Sequence, residues 1–193
     1  MNYLEVYNNS FINDSYSVHD ENTVRYQHCM NYLKLNKVNT IIDIGSGRGV
    51  MLKMIKSNFH DIKIVSADLN KYHSIDDIDF IKLDLSNEQD RNILLEKYEN
   101  NKFDLLICLD VLEHLNKSFI ESVINLFSKI SKQCILTIAN HSDILNGVEL
   151  HTIQEDFTFW APLIKTHFDI LNYNEYYLVN NKPKLYIINC KSL

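Results

Sequence analysis

The stretch Thr40-Ile41-Ile42-Asp43-Ile44-Gly45-Ser46-Gly47-Arg48-Gly49 decides the fold. Three of the chain's four glycines lie in it, so the backbone freedom of glycine is concentrated at a single turn. An apolar run typical of a strand precedes the turn, and an apolar face with helical spacing begins at Val50. The stretch therefore predicts a strand, a tight glycine loop and a helix.

The same alternation of strand and helix patterns continues along the chain. Apolar runs over 62–67, 78–83, 103–109 and 134–139 are typical of strands, and the third of these is apolar enough to be buried on both faces. Capping boxes that start at Ser86 and Ser118 predict helices between the runs. The pattern predicts a doubly wound α/β fold with a mostly parallel sheet.

The pattern changes after the fifth strand. Residues 140–151 are interpreted as a loop and 156–168 as a helix, with Pro162 near its first turns or at a bend. The runs 173–179 and 185–190 flank turn residues and predict a C-terminal antiparallel hairpin that closes the sheet. We expect a single domain over 1–193, with an N-terminal lid or helix region over 1–36 and an insertion over 140–168.

Composition limits the class of protein. With 193 residues, of which 46% are hydrophobic and 23% charged, the chain has the composition of an ordinary globular domain. Neither a bilayer-spanning run nor a secretory signal pattern is found in the sequence, so we expect a cytoplasmic protein. The excess of 25 Asp and Glu over 19 Lys and Arg disfavours binding to nucleic acid or to an anionic membrane. The four isolated cysteines are expected to be reduced core residues.

The glycine loop is compatible with three interpretations: a dinucleotide site, a site for another nucleoside cofactor, and a turn without a ligand. A dinucleotide fingerprint requires G-x-G-x-x-G, whereas this loop has G-x-G-x-G and carries Asp43 two residues before its first glycine. A carboxylate at that position suits an ammonium group better than a phosphate. No GxxxxGK[ST] loop exists, so phosphoryl transfer of the P-loop kind has no support.

The segment Asp43 to Gly49 resembles motif I of the class I methyltransferases that use S-adenosylmethionine. Further along, Leu109-Asp110-Val111-Leu112-Glu113-His114-Leu115 resembles the D-V-x-E-H-L signature of the subgroup that contains quinone and many small-molecule methyltransferases. The resemblance implies a Rossmann-like fold with a mostly parallel, seven-stranded sheet. It also implies S-adenosylmethionine as cofactor and S-adenosylhomocysteine as product. The cofactor-binding residues that it implies are Asp43, Gly45, Ser46, Gly47, Gly49, Asp68, Leu69, Asp84, Leu85, Leu109 and Asp110.

Three aspartates carry most of this implied site. The resemblance places Asp68 on the two ribose hydroxyls and Asp84, with Leu85, on the adenine ring. With Asp110, these residues follow successive predicted strands. They therefore converge on the crevice at the carboxyl ends of the strands, where open α/β sheets bind ligands.

The chemistry follows from such a cofactor. Because its sulfonium makes the methyl group electrophilic, the protein mainly has to align a nucleophile and exclude water. A hydroxyl nucleophile is helped by a base, and the candidates are histidines in loops that follow strands, namely His151 and His114 with His141 as a weaker one. A purely structural role stays open for each of them.

A divalent metal is an alternative feature of the same region. Asp110, Glu113, His114 and His151 resemble the set with which some members of the family, among them RNA-end and quinone O-methyltransferases, hold a metal ion. The metal-binding relatives usually have Glu where this chain has Asp110, and D-V-x-E-H-L is common in relatives without a metal. A metal-free enzyme is therefore the expectation.

Acceptor selectivity is expected from the aromatic stretches on either side of the shared core. Tyr16, His19 and Tyr26 come before the first strand, and Trp160 lies in the insertion, where packing in the core is the alternative. The leading hypothesis is methyl transfer to a small-molecule or sugar hydroxyl. The alternatives are an RNA or DNA methyltransferase, a catalytically silent cofactor-binding subunit that supports a partner, and a dehydrogenase on the same sheet.

Overall fold

The computed structural model of the protein describes residues 23–177 and 183–193. The helices are α1 (Val24–Leu35), α2 (Val50–Asn58), α3 (Glu88–Tyr98), α4 (Lys117–Ile130) and α5 (Phe157–Lys165), with a 3-10 turn at Leu112–His114. The strands are β1 (Thr40–Ile44), β2 (Lys63–Asp68), β3 (Asp79–Lys82), β4 (Leu105–Leu109), β5 (Gln133–Ala139), β6 (Ile144–Leu145), β7 (Val148–Glu149), β8 (Phe168–Tyr177) and β9 (Pro183–Ser192).

Seven strands form one sheet in the order β3-β2-β1-β4-β5-β9-β8. The first five strands of that order are parallel, and β9 runs antiparallel to both β5 and β8. The predicted doubly wound, mostly parallel sheet with a C-terminal antiparallel hairpin is therefore confirmed. Because parallel strands all end at one edge of a sheet, the residues after β1, β2, β3 and β4 come together there.

Helices cover both faces of the sheet. In β4, Leu106 and Cys108 join the core that contains α3, α4 and α5, whereas Leu105 and Ile107 join the core that contains α1 and α2. All four side chains are fully buried, as predicted for this apolar strand. The four cysteines are buried free thiols, which confirms that prediction as well.

Both predicted helix caps are wrong in detail. The N-cap of α3 is Asn87, whose side chain accepts hydrogen bonds from two backbone N–H groups of the first turn, while Ser86 donates its hydroxyl to Asp84. The N-cap of α4 is Asn116, and Ser118 is its partner through the backbone N–H. Asparagine is as good an N-cap as serine, so the two residue types compete for the cap at positions one or two residues apart.

The region after β5 departs from the prediction at two points, whereas Trp160 lies in the core as one of the two interpretations had it. The predicted loop contains the small β6–β7 hairpin, which turns at Asn146 and Gly147 with φ angles of 52° and 79°. Helix α5 holds Pro162 in its interior and ends before the predicted limit, because Phe168 already starts β8. Trp160 is fully buried in the core, so packing explains it and a pocket wall does not.

Part of the predicted N-terminal lid and of the hairpin turn lies outside the described residues, Tyr16 and His19 included. Helix α1 is the described portion of the N-terminal region 1–36. Among the described residues, no helix is long and apolar enough to cross a membrane.

Candidate functional site

The glycine loop connects β1 to α2 with left-handed backbone at each of its glycines. Gly45, with φ at 77°, donates its N–H to the Ala67 carbonyl of β2 at 2.8 Å. A Cβ atom on Gly45 would lie 2.2 Å from the Cγ2 atom of Val111, and one on Gly49 would lie 2.7 Å from the Cδ1 atom of Ile75. The loop therefore requires glycine both for its backbone angles and for its close contact with neighbouring segments.

Asp68, at the end of β2, is tied to this loop. Its Oδ2 atom accepts the Gly47 N–H at 2.8 Å and its Oδ1 atom accepts the Leu69 N–H at 2.7 Å. Burial raises the pKa of the Asp68 carboxyl to about 6, although these two hydrogen bonds act in the opposite direction. The Asp68 carboxylate is thus a largely buried hydrogen-bond acceptor beside Gly47, in the middle of the loop.

Asp43, in β1, places a second buried carboxyl beneath the loop. Its side chain is only 2% exposed, and its Oδ2 atom has no hydrogen-bond partner within residues 23–177 and 183–193. Burial, and then the negative charge of Asp68, raise the pKa of Asp43 to about 7. An unsatisfied buried acceptor is costly, so the site suits a ligand that brings a cationic or hydrogen-bond donor group.

A cavity of about 350 Å³ opens at the carboxyl ends of β1, β2, β3 and β4. It brings together several of the predicted cofactor residues with one predicted catalytic histidine: Gly45, Asp68, Leu69, Asp84, Leu85 and His114. It is also lined by residues that the sequence reasoning missed: Leu83, Ser86, Val111, Leu115, Asn116, Phe119 and Thr152. Phe119 belongs to the apolar residues of α4, and apolar spacing along a helix does not distinguish a core position from a cavity wall.

Asp84 is held in place at the end of β3. Its Oδ1 atom accepts the backbone N–H of Ser86 at 2.8 Å and the hydroxyl of Ser86 at 2.6 Å. The backbone N–H of Asp84 donates to Asp90 in α3 at 2.8 Å. These contacts fix the carboxylate at the cavity wall and leave lone pairs for a ligand donor.

Leu109 and Asp110 are placed differently. The Leu109 side chain packs in the apolar core on the α1 and α2 side of the sheet, and it does not line the cavity. Asp110 has a φ of 53°, accepts the Thr137 hydroxyl at 2.7 Å and forms an ion pair with Arg25. Through Arg25, the N-terminal helix α1 contacts the end of β4.

Glu113, His114 and His151 form a buried cluster beside the cavity. The Nδ1 atom of His114 is 3.0 Å from the Leu150 carbonyl, and that of His151 is 2.5 Å from the His141 carbonyl. Because a carbonyl oxygen can only accept, we assign the proton to Nδ1 in both rings. In the neutral imidazoles the Nε2 atoms are then the basic positions.

The protonation of this cluster is set by burial. Burial lowers the pKa of His114 to about 4, with His151 as the second cause, and burial also lowers the pKa of His151. Burial holds the pKa of Glu113 well above its usual range. The Oε1 atom of Glu113 accepts the Ala139 N–H at 2.8 Å, whereas Oε2 has no hydrogen-bond partner among the described residues. These three pKa shifts all favour the neutral form, that is, a neutral glutamic acid beside two neutral imidazoles.

Three of the four residues in the suggested metal set come together. Glu113, His114 and His151 each offer one ligand atom, and the three atoms lie within 4.8 Å of one another. Such a carboxylate and imidazole set suits a divalent transition metal. Asp110 is not part of the cluster, because Arg25 and Thr137 hold its carboxylate.

The histidines also form a row that leads away from the cavity. The ring centroids of His114 and His151 are 4.7 Å apart, and those of His151 and His141 are 4.9 Å apart. His114 lines the cavity, His151 is 4% exposed, and His141 is half-buried. The row thus connects the cavity with the surface near the β6–β7 hairpin.

Comparison with known proteins adds to this geometry. Residues 21–174 match the family described as a methyltransferase domain. A search of curated proteins with the sequence found no match.

Solved structures share the fold at low sequence identity. A methyltransferase from Archaeoglobus fulgidus that depends on S-adenosylmethionine matches with a TM-score of 0.68 and 14% identity, over 99% of this chain and 100% of that chain. The 1,6-didemethyltoxoflavin N1-methyltransferase of Burkholderia thailandensis, solved with S-adenosylhomocysteine, matches with a TM-score of 0.70 and 12% identity, over 98% and 88%. The N-methyltransferase NodS of Bradyrhizobium japonicum, solved with the same product, matches with a TM-score of 0.62 and 10% identity, over 87% and 85%.

The family match spans most of the chain, and the sheet order and the glycine loop agree with it. The chain therefore belongs to the S-adenosylmethionine-dependent methyltransferases, as an enzyme of the class I, Rossmann-like kind.

Proposed function

We propose that this methyltransferase acts on a hydroxyl oxygen of a small-molecule or sugar acceptor, and that the row of His114, His151 and His141 takes up the acceptor's proton. The observation that carries the proposal is the row itself. It joins the cavity to the half-buried His141 through two rings that are held neutral. A neutral imidazole can accept a proton, and an alcohol must lose one when it is methylated.

The cofactor-binding roles are part of the same proposal. Asp68 would accept the ribose hydroxyls, Asp84 and Leu85 would bind adenine in the cavity, and Asp43 would face the ammonium group of the amino-acid part. The supporting observations are the cavity lining and the unpartnered Oδ2 atom of Asp43. Gly45, Ser46, Gly47 and Gly49 would form the loop over which the cofactor lies, and Asp110 would act indirectly by holding Arg25 and Thr137 at the end of β4.

Bound S-adenosylmethionine supplies the electrophilic methyl group. The chain aligns the acceptor and moves its proton. His114 lines the cavity and its Nε2 atom is the basic position, so it would receive the proton directly or through a water molecule. His151 would take up the proton next at its Nε2 atom, because its Nδ1–H is bonded to the His141 carbonyl, and the Asp143 carboxylate, 3.9 Å from that Nε2 atom, would receive the proton or balance its charge. The low pKa of His114 favours this outward transfer, because this ring holds a proton more weakly than a histidine exposed to solvent does.

A nitrogen acceptor is the second candidate. Two of the matching structures are N-methyltransferases. An amine that arrives as an ammonium ion has to lose a proton before its nitrogen can attack, so the same histidines would serve it.

The experiment supplies the purified protein with methyl-labelled S-adenosylmethionine and three acceptor mixtures: phenols and sugars, primary and secondary amines, and short RNA. Mass spectrometry then locates the transferred methyl group. We expect label as an ether in the first mixture. Label confined to amines would favour the second candidate, and label confined to RNA would overturn the small-molecule assignment. Binding of S-adenosylhomocysteine without transfer to any mixture would indicate a silent subunit.

A further inference from the structure

We infer that His73 is a positioning residue for the cofactor loop, acting through the hydroxyl of Ser66 on that of Ser46. Ser46 lies in the glycine loop, Ser66 lies in β2, and His73 lies in the segment between β2 and β3. Neither Ser66 nor His73 lies in the loop motif, and the proton transfer proposed above does not use them. The inference concerns the binding of the cofactor and is independent of the acceptor.

The three side chains form a continuous chain of contacts under the loop. The Nε2 atom of His73 lies 2.8 Å from the Ser66 hydroxyl, which lies 3.3 Å from the Ser46 hydroxyl. Ser66 is fully buried, and His73 and Ser46 are 8% and 9% exposed. Buried polar groups of this kind are normally satisfied by one another, as they are here.

A hydrogen bond at His73 determines which of its two ring nitrogens is the donor. The backbone N–H of Ile75 donates to the Nδ1 atom of His73 at 3.4 Å. Because a backbone N–H can only donate, Nδ1 is the acceptor, and the neutral ring carries its proton on Nε2. His73 therefore donates to Ser66. Either hydroxyl can donate in the contact between Ser66 and Ser46, and we take Ser66 as the donor, which leaves the Ser46 hydroxyl proton for a bound ligand.

His73 also supports the other end of the loop by packing. A Cβ atom on Gly49 would lie 3.1 Å from the Cβ atom of His73, which shows how closely the His73 side chain approaches the start of α2. His73 thus contacts the loop at Gly49 directly and at Ser46 through Ser66. Burial, Lys71 and Lys53 all lower the pKa of His73, and this keeps the ring in the neutral form that the direction requires.

The chemistry of the cofactor indicates what Ser46 would donate to. S-adenosylmethionine and its product end in an amino acid, with a carboxylate beside an ammonium group. The unpartnered Oδ2 atom of Asp43 suits the ammonium, and a hydroxyl donor in the neighbouring loop suits the carboxylate. His73 would therefore matter for the amino-acid part of the ligand and not for its adenosine part.

Two ligands separate this role from a general structural one. Isothermal titration calorimetry measures the affinity for S-adenosylhomocysteine and for 5′-methylthioadenosine, which lacks the amino acid, in the wild type and in His73→Phe, Ser66→Ala and Ser46→Ala. We expect each variant to bind S-adenosylhomocysteine about tenfold more weakly, which corresponds to one charge-assisted hydrogen bond, with methylthioadenosine affinity unchanged. A loss of affinity for both ligands to the same degree would overturn the inference.

Two further comparisons guard against misfolding. In His73→Gln, the side-chain amide can replace the Nε2 donor, so we expect it to retain most of the affinity. The double variant His73→Phe with Ser46→Ala should bind no more weakly than Ser46→Ala alone, because both changes remove one interaction. Additive losses, or a His73→Gln variant as weak as His73→Phe, would contradict the inference. His60→Phe changes an exposed histidine and is the matched control.

Discussion

The Asp68 carboxylate accepts the Gly47 N–H at 2.8 Å and so ties the glycine loop to the end of β2. The same carboxylate accepts the Leu69 N–H at 2.7 Å. One oxygen therefore holds the loop and the other holds the segment after β2. Both contacts lie within the chain itself, so Asp68 contributes to the shape of the site as well as to its proposed contact with ribose.

We expect Asp68→Ala to weaken the binding of S-adenosylhomocysteine by at least tenfold, because a charged hydrogen bond contributes about 1.5 to 3 kcal/mol. Asp68→Asn keeps one oxygen acceptor and should lose less. Calorimetry measures both affinities, and Asp61→Ala, at an exposed position, is the control. Unchanged affinity in a folded Asp68→Ala protein would contradict the ribose assignment.

A second prediction concerns the contact between Gly45 and Val111. Gly45→Ala places a Cβ atom 2.2 Å from the Cγ2 atom of Val111, at a φ of 77°, so the variant should lose both stability and cofactor affinity. Gly147→Ala has almost the same φ, 79°, but nothing lies within 4 Å of the added atom. It should therefore show only the backbone cost of about 1 kcal/mol.

Thermal unfolding of both variants measures the difference. Adding Val111→Ala to Gly45→Ala removes the clashing methyl group and should restore part of the lost stability. If the two glycine variants are equally destabilised, the close contact with Val111 is not what requires a glycine at position 45.

The sheet and the loop could be predicted from the sequence because they depend on repeating patterns. Alternating apolar periods determine β1 to β5, and the positions of Gly45 and Gly49 follow from backbone angles that few other residues adopt. The helix caps were missed because Ser86 and Asn87 are adjacent and equally suitable. Which of the two residues caps the helix depends on which side chain already has a hydrogen-bond partner. The Ser86 hydroxyl is bonded to Asp84, so Asn87 caps the helix.

The candidate site was predictable only in part. The aspartates at strand ends were found because all parallel strands end at one edge. The role of Asp110 could not be read from its motif, because its partner Arg25 lies 85 positions earlier and meets it only through the packing of α1. His73 was overlooked for the same reason, since its contacts with Ser66 and Gly49 exist only in the folded chain.

The raised pKa of Asp43 predicts a pH dependence of both stability and binding. Its folded-state pKa is about 7, above the unfolded value of about 3.9, so the folded state holds the proton more tightly. The contribution of this group to stability is therefore present at low pH and falls as the pH rises through that window. Chemical unfolding between pH 4.5 and 8 should show this fall, and Asp43→Asn should reduce it, with the raised pKa values of Asp68 and Glu113 accounting for the remainder.

Binding should change in the opposite direction. If the ionised Asp43 pairs with the cofactor's ammonium group, affinity for S-adenosylhomocysteine rises as the pH increases toward about 7 and then levels off. Calorimetry across the same range measures the rise. An Asp43→Asn variant that binds as tightly as the wild type at pH 8 would show that Asp43 does not pair with the ammonium group.

His151 gives the most direct test of proton transfer. We expect His151→Ala to leave S-adenosylhomocysteine affinity nearly unchanged and to lower kcat by roughly 10² to 10⁴, because the row of rings is interrupted between the cavity and His141. Single-turnover kinetics with the acceptor identified above measure the chemical step. His167→Ala, outside the row, is the control. If His151→Ala turns over normally, only the structural role of His151 remains.

The last prediction concerns metal ions, which we expect the enzyme not to need. Glu113, His114 and His151 come within 4.8 Å of one another, but Arg25 and Thr137 hold the fourth suggested ligand, Asp110. Burial also raises the pKa of Glu113, which favours a proton on this carboxyl, and a metal would have to displace that proton. Dialysis against a chelator should therefore leave turnover unchanged, and elemental analysis of the purified protein should find no stoichiometric metal. Turnover that is lost on chelation and restored by Mn²⁺ or Zn²⁺, with Glu113→Gln losing the response, would instead establish a metal centre.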